Sequence, residues 1–507
     1  MAAITLNHIV VGTYFAILLL LMVYCTHRYG ILFLYFKYKG KQHPPPRMPH
    51  PLPPVTVQLP VYNEIYVVKR LINAAINLRY PPKLLHIQVL DDSTDETAVI
   101  ARQLVGEFQA AGHTIDYLHR DNRHGYKAGA LQEGLKHARG DLIAVFDADF
   151  VPQNDFLLQT VPYFSDPLVG MVQGRWGHIN RNYSSLTQVQ AIFLDAHFIL
   201  EHCARYLSGR FFNFNGTAGI WRKKCIVSAG GWQHDTLTED LDLSYRAQLA
   251  GWKFVFLPHI VTPAEIPVDI HAFKSQQHRW SKGGIETALK LLRKIVSSNH
   301  SWQVKIESVF HLTCNINYLL VFLLAILAYP ALVIRITMGW QHLFIFDCML
   351  FWASTLPIAL YYLISQREVK EPWLHKLQYL PLLMALGIGL CINNGRGVLE
   401  ALLGRKSEFL RTPKYQIEKK SDTWKSKKYR RFNNAVMTLI ELGLGFYFLS
   451  AISFAAVFAV YDAVPFLLLF AGGFFYISLV SLVQQYQARS RRESDRQSHS
   501  SVALLKG

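Results

Sequence analysis

The chain has 507 residues, 51% of them apolar, and a formal net charge of +17. Binding of nucleic acid would need a basic stripe within a known motif, and the absence of one argues against that class. The positive residues instead follow long apolar runs, in a loop over 404–431 and in the C-terminal tail, as expected of cytoplasmic segments in a membrane protein. The six cysteines include no CxxC pair, so zinc and redox motifs are not expected.

The first apolar run extends from Ile9 to Phe36 and predicts an N-terminal transmembrane helix over residues 1–36. No basic segment precedes it and no clear small-residue cleavage site follows, so we interpret it as a retained span. Residues 37–54 are rich in Pro, Lys and His and predict an extended tether, because proline removes backbone donors and favours extended chain.

The middle of the chain, 55–298, has the pattern of an α/β domain. Short apolar runs rich in β-branched residues predict strands at Val55–Leu59, His86–Leu90 and Leu142–Phe146. Helices are expected near Glu64–Leu78, Glu96–Ala110 and Lys127–Ala138. Strands that alternate with helices predict a mixed, mostly parallel sheet with helices on both faces. Ligands of such sheets bind beyond the carboxyl ends of the strands, which is where the acidic motifs below occur.

The rest of the chain is dominated by apolar runs long enough to cross a membrane. They lie at 309–336, 344–364, 379–403, 435–460 and 464–483. The third run carries Asn, Arg and Glu in its second half, which we therefore place in the membrane interface. We expect transmembrane helices over 299–364 and 432–485, an interfacial helix and basic loop over 365–431, and a disordered basic tail over 486–507. This gives five spans with the N-terminus outside, or six if the third run crosses.

Asp91 and Asp92 directly follow the second predicted strand, in the segment DDSTD. Carboxylates at a strand end can accept hydrogen bonds from a nucleotide base and ribose. The alternative is a helix cap, in which Ser93 or Thr94 bonds the first turn of the next helix. The motif alone leaves the two interpretations equally open.

Asp147 and Asp149 follow the third predicted strand in the segment DAD. Residues two apart in extended chain point the same way, so both carboxylates can face one divalent cation. Mg²⁺ or Mn²⁺ prefers oxygen ligands, bridges diphosphate oxygens and neutralises charge on a departing nucleoside diphosphate. We therefore predict that these two residues are metal ligands.

Thr238, Glu239 and Asp240 precede a predicted helix over Leu241–Ala250. In a catalytic site Asp240 would be a general base that takes the proton from an acceptor hydroxyl. In a purely structural role Thr238 would cap the helix.

Gln276, Arg279 and Trp280, in the segment QQHRW, share one face of a predicted helix because they are three and four residues apart. The planar guanidinium of arginine suits a diphosphate, and tryptophan can stack on a sugar ring. An interfacial helix with an aromatic anchor would explain this motif equally well.

Two further segments fit the same site. Lys127, in GYKAG, can reach phosphate oxygens. Phe211–Ala218, FFNFNGTA, mixes aromatic faces with amides as a carbohydrate groove would, and the alternative for it is a loop in the core.

Seven segments occur in a fixed order: QLPVYNE, LDDSTDET, RDNRHGYKAGAL, FDADF, NGTAG, TEDLDL and QQHRW. Together they resemble the family-2 inverting glycosyltransferases, and in particular the processive membrane synthases of the cellulose synthase superfamily. The similarity covers residues 55 to about 290 and extends into the apolar runs. The sequences of these motifs are most similar to those of the cellulose synthase-like A and C group of plant mannan, glucomannan and xyloglucan-backbone synthases.

The resemblance implies a GT-A type glycosyltransferase domain at 55–298, inserted between transmembrane helices and facing the cytosol from a cell inner membrane or Golgi membrane. Taken together with the residue patterns above, it assigns the donor to Asp91, Asp92, Lys127, Asp147, Gln276 and Arg279, catalysis to Thr238, Glu239 and Asp240, and the metal to Asp147 and Asp149. The same combination assigns the acceptor to Phe212, Asn215, Gly216, Gln277 and Trp280. Phe409, Thr412 and Lys414 resemble a gating loop, FxVTxK, in which Arg411 here replaces valine.

The expected activity is processive polymerisation of sugar from UDP-glucose or GDP-mannose, with Mg²⁺ or Mn²⁺, into a β-linked glucan, mannan or glucomannan that crosses the membrane. The expected partners are the donor, the growing polysaccharide and the lipid bilayer, without nucleic acid and with accessory subunits left open. One alternative is a non-processive enzyme that adds one sugar to a lipid acceptor. Another is a transporter or channel, against which the acidic motifs outside the spans argue. The sequence does not decide the sugar or the linkage.

Overall fold

A seven-stranded sheet forms the centre of the computed structural model, which describes residues 2–41, 46–369, 372–429 and 435–504. The strands are β1 Val55–Val61, β2 Leu85–Asp91, β3 Ile115–His119, β4 Leu142–Val145, β5 Val169–His178, β6 Gly219–Arg222 and β7 Lys253–Ala264. Their spatial order is β3-β2-β1-β4-β6-β5-β7. β6 runs antiparallel to β4 and β5, and the other neighbours are parallel. The prediction of a mixed, mostly parallel sheet is therefore confirmed.

Helices cover both faces of this sheet. Those that follow the first strand are α2 Val68–Ile76, α3 Glu96–Ala110, α4 Tyr126–His137, α5 Phe156–Thr160, α6 Ser185–Ala196, α7 Cys203–Leu207, α8 Lys223–Ser228, α9 Glu239–Leu249 and α10 Ile270–Val296. A π-helical turn, His197–His202, joins α6 to α7. The neighbours Ala144 and Val145 on β4 are both fully buried, but in different hydrophobic cores. Successive side chains of a strand point to opposite faces, so a strand covered on both sides is apolar throughout.

The three predicted strands and three predicted helices are all present, and the largest shift of a boundary is at the start of the first helix. We expected the first helix of the domain from Glu64, but α2 begins at Val68. Asn63 has a positive φ of 53°, which is incompatible with a right-handed helix, so the chain turns before the helix starts.

The remaining helices are mostly apolar. They are α1 Ala2–Tyr38 before the sheet and, after it, α11 Trp302–Thr313, α12 Ile316–Thr337, α13 Phe344–Glu368, α14 Leu380–Gly389, α15 Cys391–Leu402, α16 Ala435–Val457 and α17 Val464–Leu504. Within the described residues, α1, α12, α13, α16 and α17 are long and apolar enough to cross a membrane. The chain is thus an integral membrane protein.

The apolar run at 379–403 forms two helices instead of one. Residues 374–389, which end with α14, are long and apolar enough for a span only together with α15, and the two segments are bent by 41° at their junction. α15 packs against α10 and α12. The choice between five spans and six, and the interfacial position of α15, stay predictions.

We expected the tail over 486–507 to be disordered. In its described part it is helical instead, because α17 continues to Leu504. The tail contains no Pro before Gly507 and is rich in Gln, Arg and Ser. A helix that has already formed propagates through such residues at little cost. The last residues, 505–507, lie outside the described residues, as do 42–45 in the tether and Arg430 and Arg431 in the basic loop.

A buried ion pair fastens α10 to the membrane helices. The Lys274 Nζ atom on α10 lies 2.8 and 2.7 Å from the two carboxylate oxygens of Glu441 on α16, and it donates to Ser481 on α17. The side chains of the lysine and the glutamate are each only 1% exposed. On α15, the Asn393 amide donates to the Lys274 carbonyl over 2.8 Å.

Replacing one partner of this pair is expected to destabilise the protein strongly. In Lys274→Met the Glu441 carboxylate stays buried without its cation, which costs about 3 to 5 kcal/mol. Thermal unfolding in nanodiscs should show a clearly lower transition temperature. Lys274→Met combined with Glu441→Leu should recover most of the loss. Lys253→Met removes an exposed pair with Asp166 and should change little, and an unchanged transition in Lys274→Met would contradict the expectation.

Candidate functional site

A pocket of about 190 Å³ lies beyond the carboxyl ends of β1, β4, β5 and β7. Most of the predicted site residues line it, namely Asp92, Lys127, Asp147, Asp149, Asn215, Gly216, Thr238, Glu239, Asp240, Gln276, Arg279, Trp280, Phe409, Thr412 and Lys414. In the sequence these residues are spread from Asp92 to Lys414. The sheet and α10 bring them together in one place.

Three predicted residues do not reach the pocket surface. Asp91 is fully buried and accepts hydrogen bonds from the Tyr117 hydroxyl, over 2.6 Å, and from the Ser93 amide. Phe212 is 1% exposed and packs in the core beneath the site. Gln277 is 4% exposed and does not line the pocket. Their side chains can support the pocket, but direct contact with a ligand is not available in this arrangement.

The first acidic segment combines a pocket residue with a different helix cap from the one expected. The cap of α3 is Asp95, whose side chain accepts from the Thr97 amide over 3.0 Å, and not Ser93 or Thr94. Asp92 faces the pocket, where the Arg120 Nε atom donates to its carboxylate over 2.7 Å. The segment therefore caps the N-terminus of α3 through Asp95 and presents the Asp92 carboxylate to the pocket.

Asp147 and Asp149 both line the pocket, but not through an extended chain. β4 ends at Val145, and the Phe150 amide donates to the Asp147 carbonyl over 3.0 Å, which closes a turn. The premise that the two carboxylates share one side of a strand is thus wrong. Each is paired with a different lysine, Asp147 with Lys127 and Asp149 with Lys414.

Asp240 lies at the floor of the pocket in the first turn of α9. Its Oδ1 atom accepts from the Leu241 amide over 2.8 Å, which leaves Oδ2 for other contacts. The facing residue is Gly216, with a φ of 80° that favours glycine. A Cβ atom there would lie 3.0 Å from Asp240 Oδ2 and 3.3 Å from Lys127 Nζ. Glycine therefore keeps this carboxylate accessible beside the lysine.

The segment before Asp240 is held by α10. The Leu237 amide donates to Glu286 over 2.8 Å, and a Cβ atom on Gly283 would lie 2.6 Å from the Thr238 side chain. This close approach requires a residue without a side chain on α10. The side chain of Thr238 makes no capping hydrogen bond to α9. The alternative in which Thr238 caps this helix is therefore wrong.

The charges at the floor of the pocket influence each other strongly. Burial raises the pKa of Asp240 to about 7, and the neighbouring Glu239 carboxylate adds to the effect. Burial alone would lower the pKa of Lys127, but the carboxylates of Asp147 and Glu239 outweigh it and raise that pKa. At neutral pH the floor therefore holds a fixed cation next to a carboxyl group that titrates in the physiological range.

α10 forms one wall of the pocket. Gln276, Arg279 and Trp280 all line it, as their spacing on a helix predicts. The Trp280 ring lies beside that of Trp176 at the end of β5, with ring centroids 6.5 Å apart. The two indoles give this wall an apolar surface of the kind on which sugar rings stack.

Residues 405–429, here called the strap, cross the mouth of the pocket between α15 and α16. The Arg279 guanidinium lies over the Phe409 ring, with its Cζ atom 4.5 Å from the ring centroid. Arg411 forms an ion pair with Glu64 over 2.7 Å, and Lys414 forms one with Asp149 over 2.6 Å. The strap thus occupies part of the pocket and neutralises two of its carboxylates.

Sequence reasoning missed several pocket residues. Tyr62 and Glu64 follow β1, Trp176 and His178 lie at the end of β5, and Glu265 follows β7. The same rule that identified the acidic motifs, binding beyond the carboxyl ends of strands, would have found the first pair after the predicted strand at Val55–Leu59. The others lie at the end of β5 or directly after β7, two strands that the sequence pattern did not reveal.

Comparison with known proteins agrees with this geometry. The family model described as "Glycosyltransferase like family 2" matches residues 53–283. "Glucomannan 4-beta-mannosyltransferase 9" of Arabidopsis thaliana is 35% identical over 416 residues, which is 78% of this chain and 74% of the relative. "Probable glucomannan 4-beta-mannosyltransferase 2" of Oryza sativa subsp. japonica is 41% identical over 268 residues, 51% of this chain and 45% of the relative. For several such relatives, the match spans about half of their length.

Among solved structures, the chain is similar to "Mannosyltransferase PcManGT from Pyrobaculum calidifontis in complex with GDP-Man and Mn2+". The TM-score is 0.51 at 18% sequence identity, over 77% of this chain and 100% of that one. At this identity the likeness establishes the fold, a GT-A-like sheet with its flanking helices. It carries no information about the ligands of this chain.

Proposed function

This chain belongs to the family-2 glycosyltransferases, and on that premise we propose that it is a membrane synthase that polymerises mannose from GDP-mannose into a β-linked mannan or glucomannan. The observation that carries the proposal is the position of Asp240. It lies between the charged groups around Lys127 and the aromatic wall of α10, in a pocket that adjoins the membrane helices. The names of the plant relatives favour mannose over glucose.

The donor side of the pocket consists of charged groups at the strand ends. Lys127 and Arg279 supply two cations for a diphosphate, and Asp92, held by Arg120, accepts hydrogen bonds from the nucleoside. Asp91 stays beneath the surface and fixes the turn that presents Asp92. These contacts orient the donor so that its anomeric carbon points toward Asp240.

The acceptor side is aromatic and borders the spans. The terminal sugar of the growing chain stacks on Trp280, with Trp176 beside it, and bonds the Asn215 amide. Asp240 takes the proton of the acceptor hydroxyl as that oxygen bonds to the anomeric carbon. The bond from this carbon to the diphosphate breaks, and the nucleoside diphosphate leaves. A single displacement inverts the anomeric centre, so an α-linked donor yields a β-linkage.

A divalent cation, Mg²⁺ or Mn²⁺, fits the donor side. Mg²⁺ is commonly held by one or two carboxylates together with substrate phosphates, and Asp147 and Asp149 supply such a pair of oxygen ligands at the pocket wall. In the present arrangement these carboxylates form ion pairs with Lys127 and Lys414, which would break when the cation binds. When bound, the cation supplies positive charge that stabilises the leaving diphosphate.

The strap acts as a gate in this proposal. With the strap in place the pocket holds about 190 Å³, less than the roughly 300 to 1,000 Å³ typical of ligand sites. Phe409, Thr412 and Lys414 therefore move outward when the donor binds. Arg411, which pairs with Glu64, holds the closed position. A catalytic domain and a strap on the cytosolic side agree with the many basic residues of the strap.

The decisive experiment supplies labelled GDP-mannose and UDP-glucose separately to the purified protein in nanodiscs with Mg²⁺ or Mn²⁺. We expect nucleotide release and a mannanase-sensitive polymer from GDP-mannose. Polymer from UDP-glucose alone would replace mannose by glucose in the proposal. Label found only in the lipid fraction would show a non-processive lipid glycosyltransferase, and turnover of neither donor would contradict the proposal.

The pH profile of the reaction should have an acid limb set by Asp240. Only the ionised carboxylate accepts a proton, and burial raises its pKa to about 7. The value of kcat/KM for the donor should therefore rise with pH through about 7 and then level off. Glu239→Gln removes the neighbouring like charge and should move the midpoint to lower pH. A profile that is flat between about pH 5.5 and pH 8 would contradict this assignment.

A further inference from the structure

A second cavity, of about 340 Å³, lies between the catalytic domain and the ends of two membrane helices. We call it the membrane-side cavity, and its polar lining consists of Lys39, Lys41, Arg175, His259, Glu368 and the hydroxyls of three tyrosines. Lys39 and Lys41 follow the end of the span in α1, and Glu368 ends α13. None of these residues lines the catalytic pocket.

The charge of this cavity is predominantly positive. Among the described residues, its lining carries two lysines and an arginine but only one carboxylate, that of Glu368. The Tyr35 hydroxyl donates to Glu368 over 2.6 Å, and Lys39 lies 3.4 Å from the same carboxylate. With one carboxylate among three cations, the lining keeps a net positive charge that attracts an anion. A phosphate group suits it through charge-assisted hydrogen bonds.

The position of the cavity indicates where such an anion comes from. Phe33 and Phe36, on the turns of α1 just before Lys37 and Lys39, are 64% and 47% exposed. Aromatic residues followed by lysines at the end of a span are typical of the headgroup layer on the cytoplasmic side of a membrane. The cavity also has an apolar part, formed by Ile199, Phe256 and Leu257. A ligand with a charged head and apolar chains matches both parts.

We propose that the membrane-side cavity binds the headgroup of one anionic phospholipid, with its phosphate between Lys39, Lys41 and Arg175. The bound lipid joins α1, α13 and β5, the three elements that supply the charged residues. Arg175 is also the neighbour of Trp176 on β5. Adjacent strand residues point to opposite faces, so the two side chains line different cavities, the membrane-side one and the catalytic one. The lipid therefore supports the strand that presents an aromatic face to the acceptor.

Native mass spectrometry of the full chain tests this proposal. The protein would be extracted into detergent with equal amounts of phosphatidylglycerol and phosphatidylcholine, and the lipids retained after mild activation would be counted. We expect one phosphatidylglycerol to be retained preferentially. Lys39→Gln combined with Lys41→Gln should weaken this retention about tenfold or more, because each lysine near the surface contributes attraction to anionic lipid.

Lys406→Gln is the matched control, because Lys406 is an exposed lysine of the strap that does not line this cavity. Equal retention of both lipids, or the same loss in Lys406→Gln, would overturn the proposal. Displacement of the lipid by millimolar inorganic phosphate would show a site for free phosphate and would also overturn it. If the double variant unfolds in phosphatidylcholine alone, the single variant Lys41→Gln decides, since Lys41 lies beyond the end of α1 and is exposed.

Discussion

Asp240→Asn should reduce polymer synthesis by a factor of about 10² to 10⁴ while donor binding survives. This range is what a positioned general base contributes to a reaction. Asparagine keeps the shape of the side chain and its bond from the Leu241 amide, but it cannot take a proton at neutral pH. The contacts assigned to the donor come from Lys127, Asp92 and Arg279, which the substitution leaves in place. Initial rates of nucleotide release, together with calorimetric titration of the donor, separate the two effects.

Asp235→Asn is the matched control for this variant. Asp235 is five residues earlier in the same segment, its side chain is 58% exposed, and it does not line the pocket. Its replacement should leave the rate within about twofold of the original, as expected for an exposed surface site. If Asp240→Asn kept more than a tenth of the activity, Asp240 would not be the base, and Glu239→Gln would then be the next variant to assay.

Asp147→Asn should reduce turnover by about 100-fold or more and weaken the dependence on the divalent cation. A bound cation contributes several kcal/mol to stabilisation of a leaving diphosphate, and each 1.4 kcal/mol corresponds to a tenfold change in rate. The substitution removes one of the two carboxylates assigned to the cation. Lys127 would keep its bond to the Gly216 carbonyl, over 2.9 Å, so the local structure should persist. The measurement is the rate of nucleotide release as a function of Mn²⁺ concentration.

The control is Asp141→Asn, at the opposite end of the same strand, where the residue is exposed and outside the pocket. It should leave the cation dependence unchanged. Equal cation dependence in Asp147→Asn and the unaltered protein would contradict the assignment of the metal. Full activity of the unaltered protein after treatment with a chelator would do so as well.

The parts of the fold that the sequence predicted are those with a simple physical signature. β1, β2 and β4 lie in the middle of the sheet and are buried on both faces, and each is a short run rich in aliphatic residues. β4 is apolar throughout, whereas in β1 and β2 buried polar residues alternate with the apolar ones. Asp92 and Asp147 follow such strands, and the carboxyl ends of parallel strands meet at one edge of a sheet, so their positions in the chain suffice to place them there. The helical spacing of Gln276, Arg279 and Trp280 likewise placed them on one wall.

The parts that the sequence did not predict depend on tertiary contacts. β6 has four residues and pairs in the opposite direction from most of the sheet, so neither its length nor its pattern distinguishes it from a loop. β5 contains three glycines that interrupt its apolar pattern, which hid Trp176 and His178. Lys414 meets Asp149 across 265 residues of sequence, and only the folded arrangement of the strap brings them together. The turn at Asp147 arises because β4 stops at Val145.

In the proposed function, the ion pair between Lys274 and Glu441 limits how the protein can advance its product. α10 carries Trp280, the proposed platform for the growing chain, and the pair clamps α10 to the helix that contains Glu441, where both side chains are almost completely shielded from solvent. A hinge at this joint would have to separate two opposite charges in a low-dielectric medium at every step. In the proposed reaction, Trp280 and the membrane helix that carries Glu441 would therefore move as one body. The movement that advances the polymer by one sugar would then come from the strap and the side chains of the pocket.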